Sequence, residues 1–328
     1  MANYTNDTAT DSGYRLQHLL GIYLTPAIFI TSLISNVALI VTIRNAELCN
    51  KSTVVYIISQ AVADGVYSCL SLLTWAELFG IRSKSTEYGC LPITYAMNIC
   101  GFLTVWYASL MCFDYILYFR NWKIAIKLRT RTAARLIVIL VALFAAAIYI
   151  NTTLLNNVDT GNTSQSFCRP NNEEIYWVLD FFDMIFNGLI ATMTLITLCI
   201  CIIKEVRNFH KSKPETNGEV GKFSSQLTHC VVAIASAHVF TSLPVIFLRI
   251  LASGIIPQNW TFNNNYPFII LHVLYQIRFT LNYFIMFTLS PEFRRTFFNS
   301  IRSMKSRRRP QIRIPNQAAE SEMIELKG

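Results

Sequence analysis

Seven uninterrupted apolar runs constrain this chain more than any other feature. They fall at roughly 17–43, 53–79, 91–119, 133–155, 175–204, 225–252 and 268–289. Each exceeds what a helix of a soluble domain normally buries, and about twenty apolar residues suffice to cross the hydrocarbon core of a bilayer. Hydrocarbon offers a backbone amide no hydrogen-bond partner, so each run is predicted to be an α-helix. The composition, 53% hydrophobic and 14% charged, argues against disorder over most of the chain and against a water-soluble globule. The first run is too long for a cleavable leader and starts well inside the chain.

Basic residues set the orientation. Arg15, Arg82, Lys84 and Arg169 flank the runs on one side, against twenty-two lysines and arginines on the other. That asymmetry places the N-terminus outside and the C-terminus inside. It accounts for the net charge of +9 as a topology signal. The basic residues lie in short loops without a base-reading fold, so nucleic acid is not an expected partner. Acceptor triplets for N-glycosylation begin at Asn3, Asn6, Asn162 and Asn259 on the outer side. Asn151 begins another at the membrane margin, and the Asn50 triplet falls inside, where it should stay bare. Of nine cysteines only Cys90 and Cys168 lie outside. They are expected to form one disulfide, tying the top of span three to the loop between spans four and five.

The polar residues inside the runs carry a further pattern. Span one contains "ISNVALIV" with Asn36, and span two contains "SQAVADGV" with Asp64, 28 residues on. Span three begins at Cys90 and ends near Asp114 and Tyr115; span six holds "FTSLPV" with Pro244; span seven holds Asn282, followed by "SPEFRRTFFNSI". Over residues 15–302 this arrangement resembles the rhodopsin-like (class A) G-protein-coupled receptors, in a divergent, neuropeptide-receptor-like form. The chain departs from the family at several landmarks. It lacks the Arg of span three, the Trp of spans four and six, the Pro of span five, and the Pro and Tyr of span seven.

The expected fold is thus an all-α membrane protein, a seven-transmembrane helix bundle with a short amphipathic eighth helix. Residues 1–16 form an extracellular N-terminus, 17–302 the receptor domain, and 303–328 a disordered cytoplasmic tail. The resemblance implies a multi-pass protein of the plasma membrane that binds an extracellular ligand, a peptide being favoured. Its implied intracellular partners are a heterotrimeric G protein and arrestin. It implies a ligand cavity near Trp75, Met97, Asn98, Arg249, His272, Tyr275 and Gln276. Met97 stands where amine receptors carry their aspartate, and Gln276 where opsins carry their lysine, so an amine ligand or a retinal Schiff base is not expected. Arg249, a lone charge near the outer end of span six, is the favoured contact for an acceptor-rich ligand group. The implied switch residues are Asn36, Asp64, Asp114, Tyr115, Pro244, Arg278 and Asn282.

Two points are open in the sequence. Arg278 lies one helical turn before Asn282 and either pairs with Asp64 or turns to other partners. Asp114 either pairs with Arg120 or Lys123 or is solvated at the membrane edge. No enzyme is expected, since Asp64 and Asp114 lie at different depths and no His/Glu metal pattern exists; no cofactor or metal is expected either. The competing reading is an atypical or non-signalling seven-helix protein, a transporter or scaffold. A transporter would bring internal repeats or broken helices, and neither is evident.

Overall fold

The computed structural model describes residues 20–45, 52–81, 86–120, 128–154, 156–159, 167–170, 173–212, 219–254 and 266–307. The main helices are α1 (Thr25–Asn45, after a π-helical turn Leu20–Leu24), α2 (Ser52–Ala76), α3 (Glu87–Arg120) and α4 (Arg131–Leu154). A short antiparallel strand pair follows, β1 (Asn156–Asp159) and β2 (Phe167–Pro170), with Val158 opposite Cys168. Then come α5 (Glu173–Asp183), a π-helical segment Met184–Ile190, α6 (Ala191–Ser212), α7 (Glu219–Gly254), α8 (Tyr266–Leu289) and α9 (Pro291–Arg307).

Six helical stretches among the described residues are long and apolar enough to cross a membrane: Gly21–Asn45, Ser52–Ala76, Tyr88–Phe119, Arg131–Asn151, Val178–Asn208 and Gln226–Ile250. They match the first six predicted runs. The seventh run is helical as α8, which packs against both α7 and α1. Contacts run from α1 to α2, α2 to α3, α3 to α6, α6 to α7 and α7 to α8, and return from α8 to α1. Helix α3 also touches α4 and α7, so it lies at the centre, and α4 sits outside it against α2 and α3.

Helix starts follow from local hydroxyls. Thr86, Thr130 and Ser290 each accept a backbone N–H three residues on, from Gly89, Ala133 and Phe293. Each thereby satisfies one of the orphan donors of the first turn of α3, α4 and α9. At α9 the device is reinforced by Pro291 at the first position and Glu292 in the first turn. Arg294 donates back to the carbonyls of Phe287 and Thr288 (3.2 and 2.7 Å) at the end of α8. Phe293 is fully buried while Phe298 and Ile301 are exposed. The helix continues to Arg307, past the tail boundary expected after 302. The sequence Ser303–Arg307 contains no helix breaker, and its basic residues suit a helix C-terminus.

The molecule exposes large apolar side chains and buries a layer of polar ones among its apolar core. Ile34, Leu143, Ile200 and Phe240 are each more than 60% exposed. Asn36, Gln60, Asp64, Thr104, His238, Ser242, Arg278 and Asn282 are buried. This inversion of the soluble pattern fits a chain whose solvent is lipid. A hydrophobic cluster formed by α1, α2, α3, α6, α7 and the junction of α8 with α9 fills one half of the bundle, around Leu39, Met111, Ile202, Ile234 and Phe293.

Candidate functional site

The opposite half holds a cavity of about 420 Å³. Met97, Asn98 and Val105 of α3 form one wall, and Asp180 and Asp183 of α5 with Asn187 and Gly188 of the π segment form another. Ser242, Ile246 and Arg249 of α7, with Tyr275 and Arg278 of α8, complete it. Gly188 matters sterically, because a Cβ there would lie 3.1 Å from Ile246 Cγ1; the missing side chain lets α7 approach the π segment.

Of the predicted ligand residues, Met97, Asn98, Arg249 and Tyr275 line this cavity. Trp75 and Gln276 are not among its described lining. Trp75 packs on Phe79 (centroids 4.8 Å apart), and its indole N–H has no partner among the described residues. Gln276 is buried on α8 with its amide oxygen unpartnered. His272 lies on α8, but its side chain falls outside the described residues, as do Asn3, Asn6, Asn162 and Asn259. Cys90 is buried and disulfide-bonded. Cys168 stands in β2, its side chain outside the described set; β2 pairs with β1, and β1 packs against α3.

Arg249 is not a lone charge. Its Nη2 donates to Asp180 Oδ1 at 3.0 Å, and both side chains are about two-fifths exposed. Nearby, Tyr149 of α4 donates its hydroxyl proton to Asp183. The expectation of an isolated Arg249 fails because α5 lays its acids along the cavity, where Asp180 reaches the guanidinium. Asp180 and Asp183, three residues apart on one helical face, therefore turn inward.

Below the cavity, the polar residues resolve the two open points. Asp64 is fully buried; its Oδ1 accepts from Thr104 of α3 (2.7 Å) and its Oδ2 from Asn282 of α8 (2.8 Å). It does not form an ion pair with Arg278. The Arg278 guanidinium turns towards α7: Nη1 donates to Ser242 Oγ (3.0 Å) and Nη2 to the Tyr275 hydroxyl (2.7 Å). Its Cζ lies 4.1 Å from the Tyr275 ring centre and 4.8 Å from that of Phe279. Asn36 does not join Asp64 either. Its amide donates to Ser32 and to the Phe279 carbonyl (3.0 Å), and Ser32 takes a hydrogen bond from Ser68 (2.7 Å). Helices α1, α2 and α8 are stitched there through a main-chain carbonyl.

Asp114 is not solvated at the membrane edge; the Arg120 side chain and Lys123 lie outside the described residues. It is buried and accepts from Ser52 Oγ (2.8 and 2.9 Å) and Thr53 Oγ1 (2.5 Å). These two residues open α2, so the carboxylate sits at the positive end of that helix. Tyr115 bridges to Thr228 of α7 at 2.5 Å. Pro244 lies within α7, where it withholds an N–H from the helix ladder. Sequence reasoning missed the Gln60–His238 contact (Nε2 to Nε2, 2.8 Å), which joins α2 to α7 in the buried layer. The signal was two polar residues at apolar-face positions. A second cavity, of about 520 Å³, opens between α6 and α7 at the end opposite the first, lined by Arg207, Gln226, His229 and Leu289. No protein-family model matches this chain, and neither does any curated protein.

Proposed function

We propose that the chain is a seven-span receptor of the plasma membrane, of rhodopsin-like type, that couples an extracellular ligand, favoured to be a peptide, to an intracellular G protein. One observation carries this reading. The cavity and the buried polar layer share Ser242, Tyr275 and Arg278. Asn282, one turn below Arg278 on α8, is hydrogen-bonded through Asp64 to Thr104. A ligand touching the cavity floor therefore touches groups that set how α2, α3, α7 and α8 pack. A ligand that binds one packing better than another shifts the population between them.

The tied-down Asp114 and the Tyr115–Thr228 bridge would hold the inner ends of α2, α3 and α7 in the resting arrangement. The cavity between α6 and α7 supplies a place for an intracellular partner. On this reading α8 is the seventh span and α9 lies along the inner membrane face, its buried Phe293 anchoring it to the bundle.

The test has two parts. An epitope at residue 2 should be reached by antibody on intact cells, and one after Gly328 only after permeabilisation. A peptide library should then yield a ligand with a calcium, cAMP or arrestin response. The reverse epitope pattern would overturn the receptor reading.

A further inference from the structure

The floor of the cavity is a buried cation with no acid in contact among the described residues. Arg278 is 2% exposed, yet among the described residues its two hydrogen bonds go to neutral hydroxyls and its Nε–H has no partner. Each Nη nitrogen also carries a second N–H beyond the one used. Asp64 is near enough to interact with it electrostatically, but both Asp64 oxygens are occupied by Thr104 and Asn282. Guanidinium groups buried in a low-dielectric interior are normally matched by a hydrogen-bonded acid. The one Arg–carboxylate pair in the cavity among the described residues, Arg249–Asp180, lies at the more exposed edge and satisfies itself.

We propose that Arg278 is the recognition point for a carboxylate on the ligand, and that this site, rather than Arg249, fixes the acidic end of whatever enters. The inference rests on the receptor reading only in calling the cavity a ligand site. The guanidinium fork suits a planar two-oxygen acceptor. The cavity volume falls within the range of small-molecule sites. Asp180 and Asp183 line the same space, so a group with two negative charges would meet repulsion, and a single carboxylate fits better than a phosphate. Tyr275 and Ser242 hold the guanidinium in place before the ligand arrives, which reduces the ordering cost of binding. Two sources present this chemistry: the free C-terminus of a peptide and a small carboxylic acid.

The experiment uses the purified full-length protein in lipid nanodiscs, with no G protein present. Thermal unfolding is followed with benzoate, phenylacetate and 4-phenylbutyrate against their three amides. A second arm uses pooled N-acetyl-tripeptides as free acids against the same pools as amides. At least one acid, or the acid peptide pool, should raise the unfolding midpoint saturably, with the matched amide about ten- to a hundred-fold weaker. Which arm responds identifies the source. Arg278→Gln should abolish the preference for acid over amide, and Arg278→Lys should restore part of it.

Equal response to acids and amides in the native protein, or no response to any acid in either arm, overturns the proposal whether or not the variants fold. So does an acid preference that survives in Arg278→Gln. Acid binding without any cellular response would retire the receptor reading and leave this one standing; signalling to a ligand without acid preference would do the reverse.

Discussion

The two ends of the bundle treat charge in opposite ways. At the inner end, Asp114 is enclosed and receives hydrogen bonds from both hydroxyls that open α2. Its neighbour Tyr115 is buried and bridged to α7. At the cavity end, Asp180, Asp183, Arg249 and Arg278 all reach the same open space. The one ion pair among them is partly exposed, and the one deeply buried cation has only hydroxyl partners. The inner end spends its polar groups on holding helices together. The cavity end pairs its polar groups too, but along the wall of an open space. Ordinary stability measurements should therefore be sensitive at one end and nearly blind at the other.

The largest effect should come from the layer between the two ends. Asp64→Ala leaves Thr104 and Asn282 without their shared acceptor and removes an acid that interacts with Arg278, and should destabilise the protein by about 3–5 kcal/mol. Thermal unfolding of the purified protein in nanodiscs reads this; a loss below about 1 kcal/mol would mean water replaces the carboxylate. Next, Asp114→Ala should cost about 2–3 kcal/mol, because it removes the acceptor of two buried hydroxyls at a helix N-terminus. If Asp114→Ala were neutral by the same assay, the inner end would not be tied down and the contrast would fail.

Tyr115→Phe removes a single hydroxyl bridge and should cost about 1 kcal/mol. If the proposed receptor function holds, constitutive signalling in cells is the more telling readout, since the bridge spans α3 and α7; a destabilised but silent variant would make the bridge purely structural. The smallest change is expected from Asp180→Asn. The pair it breaks is partly exposed, and such pairs contribute between zero and about 1 kcal/mol. A larger loss, or one that persists at high salt, would show that the cavity mouth is a structural element after all.

Much of the scaffold was legible from residues alone. The first six runs became six long apolar helices. Rotamers were less legible. Arg278 stands one turn from Asn282, but its long side chain had several reachable acceptors. Hydropathy says nothing about whether it leans to α2 or to α7. Asp114 was misread for a related reason: its partners, Ser52 and Thr53, are 62 and 61 residues away, and only packing brings the start of α2 beside the end of α3. Asp180 and Asp183 fell inside the fifth apolar run, 175–204, with nothing in the sequence to mark the face they occupy. Their inward rotation depends on the helix phase, which composition does not encode.

That phase depends on the π-helical turn Met184–Ile190, which separates the two acids from the rest of their span. A π turn accommodates one residue more than an α turn, so the helix before it is rotated relative to the helix after it. Each residue of an α-helix advances the chain by about 100° around its axis. Loss of one codon within this stretch would leave length, hydropathy and apparent span almost untouched, yet swing Asp180 and Asp183 together by about that angle, away from Arg249 and out of the cavity. The chemistry of the cavity mouth is therefore heritable as a count of residues as well as a choice of them. Two descendants of one ancestral chain could differ in ligand while keeping every side chain named here.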